Sequence, residues 1–466
     1  MTRVERDALG EYAVPSEAYY GIQTARAVEN FPISGLRAPA DLIAATMLVK
    51  KAAAQANVTL ARLEPRVGEA IVRAADDVLR GALADQFVVD VYQAGAGTSH
   101  NMNANEVLAN RASELLGGAR GEYRLVHPND HVNMGQSTND VFPTATRLAL
   151  LLGHRTLVEA ARALASSLGR KADAFASVLK AGRTHLQDAV PMTLGQEFGG
   201  YAACLERGAD EIERASEQLK ELNLGATAIG TGLNAGDDYT RRAVGNLETL
   251  TGIDVVPAAN LFRVTQSMGD VLAYSGAMRR LAVELSKIAS DLRLLSSGPR
   301  AGLAEITLPP VQPGSSIMPG KVNPSVPEMV NQVCYQVYGC DTTICAAADA
   351  GQLELNVMMP VIAWNAIHSS TILRNAMIAL RTRTVDGIEA NVERCQELLA
   401  RSTAVATSLS PYIGYAKTAE IAKQAVATGR SIRDLVLESG LMEAPQLDRI
   451  LSAEAMTRPG IAGGTS

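Results

Sequence analysis

Apolar residues spaced alternately three and four apart recur along the middle of this chain for several turns at a time, the period of a helix that buries one narrow stripe. Phe198, Tyr201, Leu205, Gly208, Ile212, Ala215, Leu219 and Leu222 form one such stripe, with Glu206, Arg207, Asp210, Glu213 and Arg214 on the remaining faces. A second runs through Val271, Tyr274, Met278, Leu281, Leu285, Ile288, Leu292 and Leu295 without an internal proline. Val330, Val333, Val337, Cys340, Ile344 and Ala347 form a third, and weaker versions occupy 157–179 and 362–380. Five helices between about residues 140 and 390, each roughly 40 Å long at 1.5 Å rise per residue, favour nearly antiparallel packing. The chain is therefore expected to be mainly α. Stripes this long and narrow are seldom buried within one protomer, so the bundle is expected to continue across a symmetric interface.

The 466 residues are 47% hydrophobic and 20% charged, the balance of an ordinary globular chain. A net charge of -6 and the absence of a dense Lys/Arg block argue against nucleic acid or anionic lipid as partner, which leaves a small molecule. The opening MTRVERDALGEY places charges where a secretory signal needs an apolar core, and no later stretch is apolar for the length of a membrane span. A cytoplasmic location without membrane contact is expected. Five cysteines without C-x-x-C spacing read as reduced, mostly buried thiols.

Long polar segments punctuate the helices: 94–103, 127–140, 182–188, 225–236 and 313–324, all rich in Gly, Ser, Thr and Asn. Loops between bundle helices need only a few such residues, so these are candidates for ligand contact, and they argue against a monomeric coiled-coil spacer. PGSSIMPGKVNP is not a P-loop, because five residues separate Gly314 from Gly320 and Val322 follows the lysine. Gly95, Gly97 and His100 break the dinucleotide fingerprint at its third glycine. His127 and His131 form the one close histidine pair, but Pro128 and Asn129 between them suggest a turn, so no metal site is expected. What remains is a set of hydroxyls and amides at Thr98, Ser99, Ser137, Thr138, Asn139 and Thr184, with Lys321 and Asn323, suited to a small dicarboxylate. The same residue types also cap helices and close turns, and spacing alone does not decide between these roles.

GSSIMPGKVNP, residues 314–324, resembles the signature of the aspartase/fumarase superfamily. The likeness extends through LGEYAVPSEAYYGIQTARAVENFPIS, GTSHNMNANEVLAN, QSTND, GRTHLQDAVPMTLGQE, NLGATAIGTGLN, AGQLELNVMMPVI and IGYAKTAEIA, nearly the whole chain. The resemblance implies an all-α, three-domain chain: an N-terminal domain over 1–138, a central helical bundle over 139–392 and a small C-terminal domain over 393–466. It implies a homotetramer with a 20-helix core, whose sites each collect loops from three subunits. It also implies cofactor-free removal of a proton beside a carboxylate and loss of a group from the neighbouring carbon, giving fumarate. Such a C–H is a very weak acid, so the site must stabilise the doubly charged aci-carboxylate that forms.

By the same resemblance Ser315 is the base, acting as an alkoxide once its loop closes over substrate. Thr98, Ser137, Thr138 and Ser316 contact the carboxylate where charge develops, and Lys321 and Asn323 hold the other. Asn139 and His185 face the leaving amino group, with Thr184 adjacent, and Glu328 orients the histidine. Within the superfamily, YYGIQTARAVENFPIS, NLGATAIGTGLN and AGQLELNVMMPVI resemble aspartases, whereas NRASELLGG and VHPND are equally at home in fumarases. Fumarate hydration and action on an N-substituted aspartate stay open. His100, two positions after Thr98, either alters the pocket or faces a neighbouring helix.

Overall fold

The computed structural model describes residues 1–464. The five expected helices are Thr138–Ala174, Leu194–Ser216, Gly269–Leu295, Ser325–Asp349 and Met359–Arg383. Their stripes are buried as the periodicity requires: Val271, Tyr274, Met278, Leu281, Leu285, Ile288 and Leu292 are all inaccessible, as are Ile362, Ala366, Leu373, Met377 and Leu380. Two stripes overrun their helices. Leu219 and Leu222 lie in a 3-10 turn and a short strand beyond Ser216, and Leu179 begins a strand, because buried apolar residues keep one face covered after the helix ends. Shorter helices and four two-stranded sheets complete the secondary structure of the described residues.

The chain divides into two compact units, and the division falls inside each of the five long helices. The first comprises Met1–Glu159, Asp210–Ala282 and Cys334–Arg374. Here Ala40–Thr59, Pro65–Leu79 and Thr98–Leu115 pack around Met47, Ile71, Phe87, Val107 and Leu108. Hydrogen bonds tie the long helices of this unit together: His154 Nδ1 meets the Tyr274 hydroxyl at 3.2 Å, and Ser275 donates to Asp341 at 2.7 Å. Arg147, fully buried on Thr138–Ala174, pairs with Asp270 at 2.6 Å.

The second unit comprises Ala160–Ala209, Val283–Val333 and the chain from Asn375 onward. Its long helices meet through the Phe175 and Phe198 rings, edge to face at 5.3 Å between centroids, and through the Tyr201 hydroxyl on Asp291 at 2.8 Å. A separate small core of Leu409, Ile421, Leu435, Val436, Leu447 and Ile450 holds the C-terminal helices. Cys334, Cys340 and Cys395 are buried, Cys204 is half-buried and Cys345 exposed, and all five are free thiols. No helix among the described residues is long and apolar enough to cross a membrane.

Candidate active site

In the first unit two helix N-termini carry Thr98, Ser137, Thr138 and Asn139. Thr98 opens the helix Thr98–Leu115 and Thr138 opens Thr138–Ala174. The first N–H groups of a helix lack intrahelical acceptors and face the positive end of its dipole, so both termini favour an anion. Their approach depends on Gly97, which has φ +87° and lies against Phe142: a Cβ there would sit 2.2 Å from the ring. Asn101 Nδ2, in the first turn after Thr98, donates to Thr138 Oγ1 at 3.0 Å and links the two termini directly.

The Ser137 turn is held from behind. Ser137 Oγ accepts the Asn139 N–H at 3.2 Å, while the Ser137 N–H donates to Asp140 Oδ1 at 2.9 Å, a reciprocal cap. The other Asp140 oxygen accepts the N–H groups of Gly225 and Thr227 at 3.0 and 2.9 Å, which docks the glycine-rich 223–228 segment onto the turn. Burial pushes the Asp140 carboxyl up to about 7 against those hydrogen bonds and the Lys50 charge. Asn139 Nδ2 donates to the Ala228 carbonyl at 2.8 Å, leaving its Oδ1 to accept from a ligand. Lys50, wholly buried, donates to Asn133 Oδ1 at 3.0 Å and Gln136 Oε1 at 2.9 Å.

His100 lies in the core beside this site. Thr46 Oγ1 donates to the Leu42 carbonyl, so His100 Nε2, 2.9 Å away, must be the donor to Thr46. The ring also meets Phe142 edge on, with centroids 5.8 Å apart. It therefore faces the helix Ala40–Thr59, and burial pushes the imidazole down to about 4.

In the second unit, strands Leu179–Thr184 and Gln187–Thr193 pair antiparallel, with Thr184 opposite Gln187. His185 and Leu186 are thus the two residues of the hairpin turn, at φ +55° and +60°. Such a turn normally takes Asn or Gly, so two side chains held left-handed mark stored strain of the kind found at functional sites. His185 is exposed, and its imidazole has no hydrogen-bonding partner among the described residues. Rigidity comes from the strand below: Arg183 donates two hydrogen bonds of 3.0 Å to Glu305, and Lys180 lies 2.8 Å from Glu197 and 3.2 Å from Glu305. The Glu305 side chain is completely inaccessible.

The 314–324 loop belongs to the same unit. Its base is closed by the Gly314 N–H on the Lys321 carbonyl at 2.8 Å and by Asn323 Nδ2 on the Gly314 carbonyl at 2.7 Å. A Cβ on Gly314 would fall 2.4 Å from the Lys321 carbonyl oxygen, so the closure needs glycine. Ser315 Oγ accepts the N–H groups of Ile317 and Met318 at 3.2 and 3.0 Å. Ser316, Ile317, Met318 and Lys321 are exposed, and the Lys321 ammonium is unpaired among the described residues. A cavity of about 610 Å³ beside the loop is lined by Lys321 and Asn323 with Arg293, Ser296, Thr307 and Asn391. Glu328 sits in the first turn of Ser325–Asp349, half-buried, and makes no bond to His185 within the chain. Among the described residues no group of three or more His, Cys, Asp or Glu could hold a metal.

Sequence reasoning thus found the residues that present themselves outward and missed those that hold them. Asn101 and Asp140 lie within motifs of the family resemblance, but Lys50 and Glu305 carry no periodicity or spacing that marks them.

The anion-binding helix termini of the first unit and, separately, the N–H-solvated serine and exposed lysine of the second are groups that suit a lyase working on a carboxylate substrate. Residues 10–339 match the family described as lyase, and residues 405–458 match the fumarase C C-terminus. The chain is 50% identical to an aspartate ammonia-lyase of Bacillus subtilis over 99% of its own length and 97% of the relative's. A solved fumarate lyase:delta crystallin of Brucella melitensis bound to cobalt is 52% identical, with a TM-score of 0.95 over 98% of this chain and 100% of that one. A class II fumarase of Schistosoma mansoni is 38% identical, with a TM-score of 0.94 over the same shares. The chain belongs to the aspartase/fumarase superfamily of lyases.

Proposed function

We propose that this chain catalyses the reversible deamination of L-aspartate to fumarate and ammonia. The observation that carries the reading is Ser315 Oγ accepting two backbone N–H groups in an exposed loop. A free serine is far too weak an acid to yield a base, but aimed N–H donors stabilise the alkoxide over the alcohol. Ser315 takes the proton from C3 of aspartate, and the electron pair passes into the adjoining carboxylate. That aci-carboxylate collapses to form the double bond and breaks the C2–N bond, so nitrogen leaves as ammonia. The overall geometry is that of an anti elimination.

Thr98, Ser137, Thr138 and Ser316 take the carboxylate that gains charge. Lys321 and the second N–H of Asn323 hold the other, since the first is committed to Gly314. Asn139 Oδ1 accepts from the ammonium, with Thr184 and His185 on the same group, and Glu328 orients His185. The scheme uses side chains and backbone amides alone.

These residues meet in a homotetramer whose sites each draw on three subunits. From Met329 to Ala348 the only charged residue is Asp341, which is buried and bonded to Ser275. The exposed face of that helix, including Gln332, Tyr335, Gln336, Thr342 and Thr343, is therefore uncharged, which suits an interface core more than water. Light scattering should give the mass of four chains, and Thr342→Glu should lower it together with activity. Residues 1–138, 139–392 and 393–466 act as its three domains, and the five free thiols suit the cytoplasm.

The test is the absorbance of fumarate on mixing purified protein with L-aspartate, beside L-malate and N-substituted aspartates. Fumarate from aspartate is expected. Fumarate from malate alone would favour the second reading, fumarate hydratase, to which the likeness to the Schistosoma enzyme points.

A further inference from the structure

A lysine ammonium has three N–H donors and no acceptor, so a wholly buried lysine dictates the direction of every hydrogen bond leading away from it. Lys50 donates to Asn133 Oδ1 at 3.0 Å, which fixes that amide with its oxygen inward. Asn101 and Asn105 must then present their NH2 groups to the same oxygen, at 3.3 and 3.2 Å. The remaining Asn101 N–H reaches Thr138 Oγ1 at 3.0 Å. An oxygen that already accepts from Asn101 has its own proton free to donate elsewhere. Asn101 is 2% exposed, and its Oδ1 has no partner among the described residues, so no competing donor or acceptor there reverses the chain.

We propose that Asn101, its amide set by Lys50 through Asn133, is a positioning residue that turns the Thr138 hydroxyl proton toward the substrate carboxylate. The inference rests on the reading of Thr138 as a substrate contact. It goes further in assigning a direction to that contact and a cause to the direction. A hydroxyl turned in advance stabilises the carboxylate as charge develops and needs no reorientation during the reaction.

Asn101→Asp reverses the polarity, since a carboxylate at that position accepts the Thr138 proton. Asn101→Ala only frees the hydroxyl to rotate. Thr138→Val removes it. The expected order of kcat is wild type above Asn101→Ala, down about threefold to tenfold, above Asn101→Asp, down about tenfold to a hundredfold and near Thr138→Val, with KM moving less than threefold. In the Thr138→Val background neither change at 101 should lower kcat further.

If Thr138→Val leaves kcat intact, the assignment of Thr138 fails, and this inference with it. If Thr138→Val lowers kcat but the 101 variants do not, or if their losses persist without the Thr138 hydroxyl, only the inference fails. A loss that follows melting temperature across the three variants, with Asn101→Ala worse than Asn101→Asp, would show a role in packing and overturn the proposal. Should Asn101→Asp fail to fold, Asn101→Ala alone and combined with Thr138→Val decides the matter by the same criterion.

Discussion

The turn at 137–139 and the loop at 314–324 both present serine hydroxyls, and they are built in opposite ways. Behind the turn every support is buried: Asp140, Lys50 and Asn101 are almost inaccessible, and a glycine-rich segment is docked onto it by backbone hydrogen bonds. The loop is closed at its base by bonds among Gly314, Lys321 and Asn323, its tip bonds only to the loop itself among the described residues, and it exposes Ile317, Met318 and Val322 to solvent. A part that must stabilise developing charge gains from being fixed beforehand, whereas a part that must admit substrate and then cover it gains from having few bonds to break. The proposed closure of the loop would cover the apolar side chains left exposed at its tip.

The sharpest break in this comparison is expected at the base. Ser315→Ala removes the acceptor of the two loop N–H groups. Turnover should fall by about a hundredfold to ten-thousandfold, the range that general base catalysis supplies, with the light-scattering mass unchanged. Ordinary turnover by the variant would remove Ser315 from its role and leave the loop as a structural turn.

The His185 hairpin combines the two designs, an exposed tip over a buried anchor. Glu305→Gln takes the inaccessible carboxylate from a cluster with Lys180 and Arg183, leaving Arg183 without its charged partner while Lys180 keeps Glu197. Breaking a buried ion pair from one side costs about 3 to 5 kcal/mol, so denaturant midpoints should fall accordingly. Unchanged stability would mean that the strained turn at His185 and Leu186 is held by its strands alone.

How much of this was legible in the sequence follows the same divide. The five long helices were readable because a buried stripe repeats, and the presented residues were readable because polar loops between helices are unusual. The hairpin was not, since GRTHLQDAVP alternates too weakly to suggest strands, and nothing local announces that His185 and Leu186 adopt left-handed backbone. The anchors Lys50 and Glu305 were invisible for a physical reason. Their meaning lies in partners 83 to 125 positions away, as in the Lys50 to Asn133 and Lys180 to Glu305 contacts. A charged residue reads as solvated until those partners are known. His100 shows the converse: it lay within a site motif, yet its ring packs between Phe142 and Thr46 in the core.

That placement of His100 makes the buried side of the comparison measurable by pH. Burial and the nearby Lys50 charge hold its imidazole at about 4, below the ordinary 6.5. A depressed folded value means that the unfolded chain binds the proton first, so this contribution to stability is complete above pH 6.5 and is lost as pH falls toward 4. The two values imply a loss of about 3 kcal/mol across that window. Asp140 faces the same region with its carboxyl raised to about 7, and its contribution changes in the opposite sense between pH 3.8 and 7. The difference between wild type and His100→Gln isolates the histidine: the variant should lose less stability on acidification. Parallel stability curves would show that His100 stays neutral or finds a counter-charge.

Lys321 tests the exposed side, with a smaller effect. Its ammonium is unpaired and in water, so a substrate carboxylate meets a charge that needs no partner broken and has little hydration held back by protein. In the proposed scheme the contact is made by a carboxylate that does not change charge during elimination, so it binds ground state and transition state alike. Lys321→Ala should therefore raise KM with kcat nearly unchanged. A charge-assisted hydrogen bond contributes about 1.5 to 3 kcal/mol, which corresponds to a rise of roughly tenfold to a hundredfold. Added salt should weaken wild type binding more than that of the variant, because an exposed pair is screened and an absent one is not. If kcat falls instead and KM stays, Lys321 touches the carboxylate that gains charge, and the two carboxylate subsites must be exchanged: the fixed turn would then hold the spectator group and the open loop would do the stabilising.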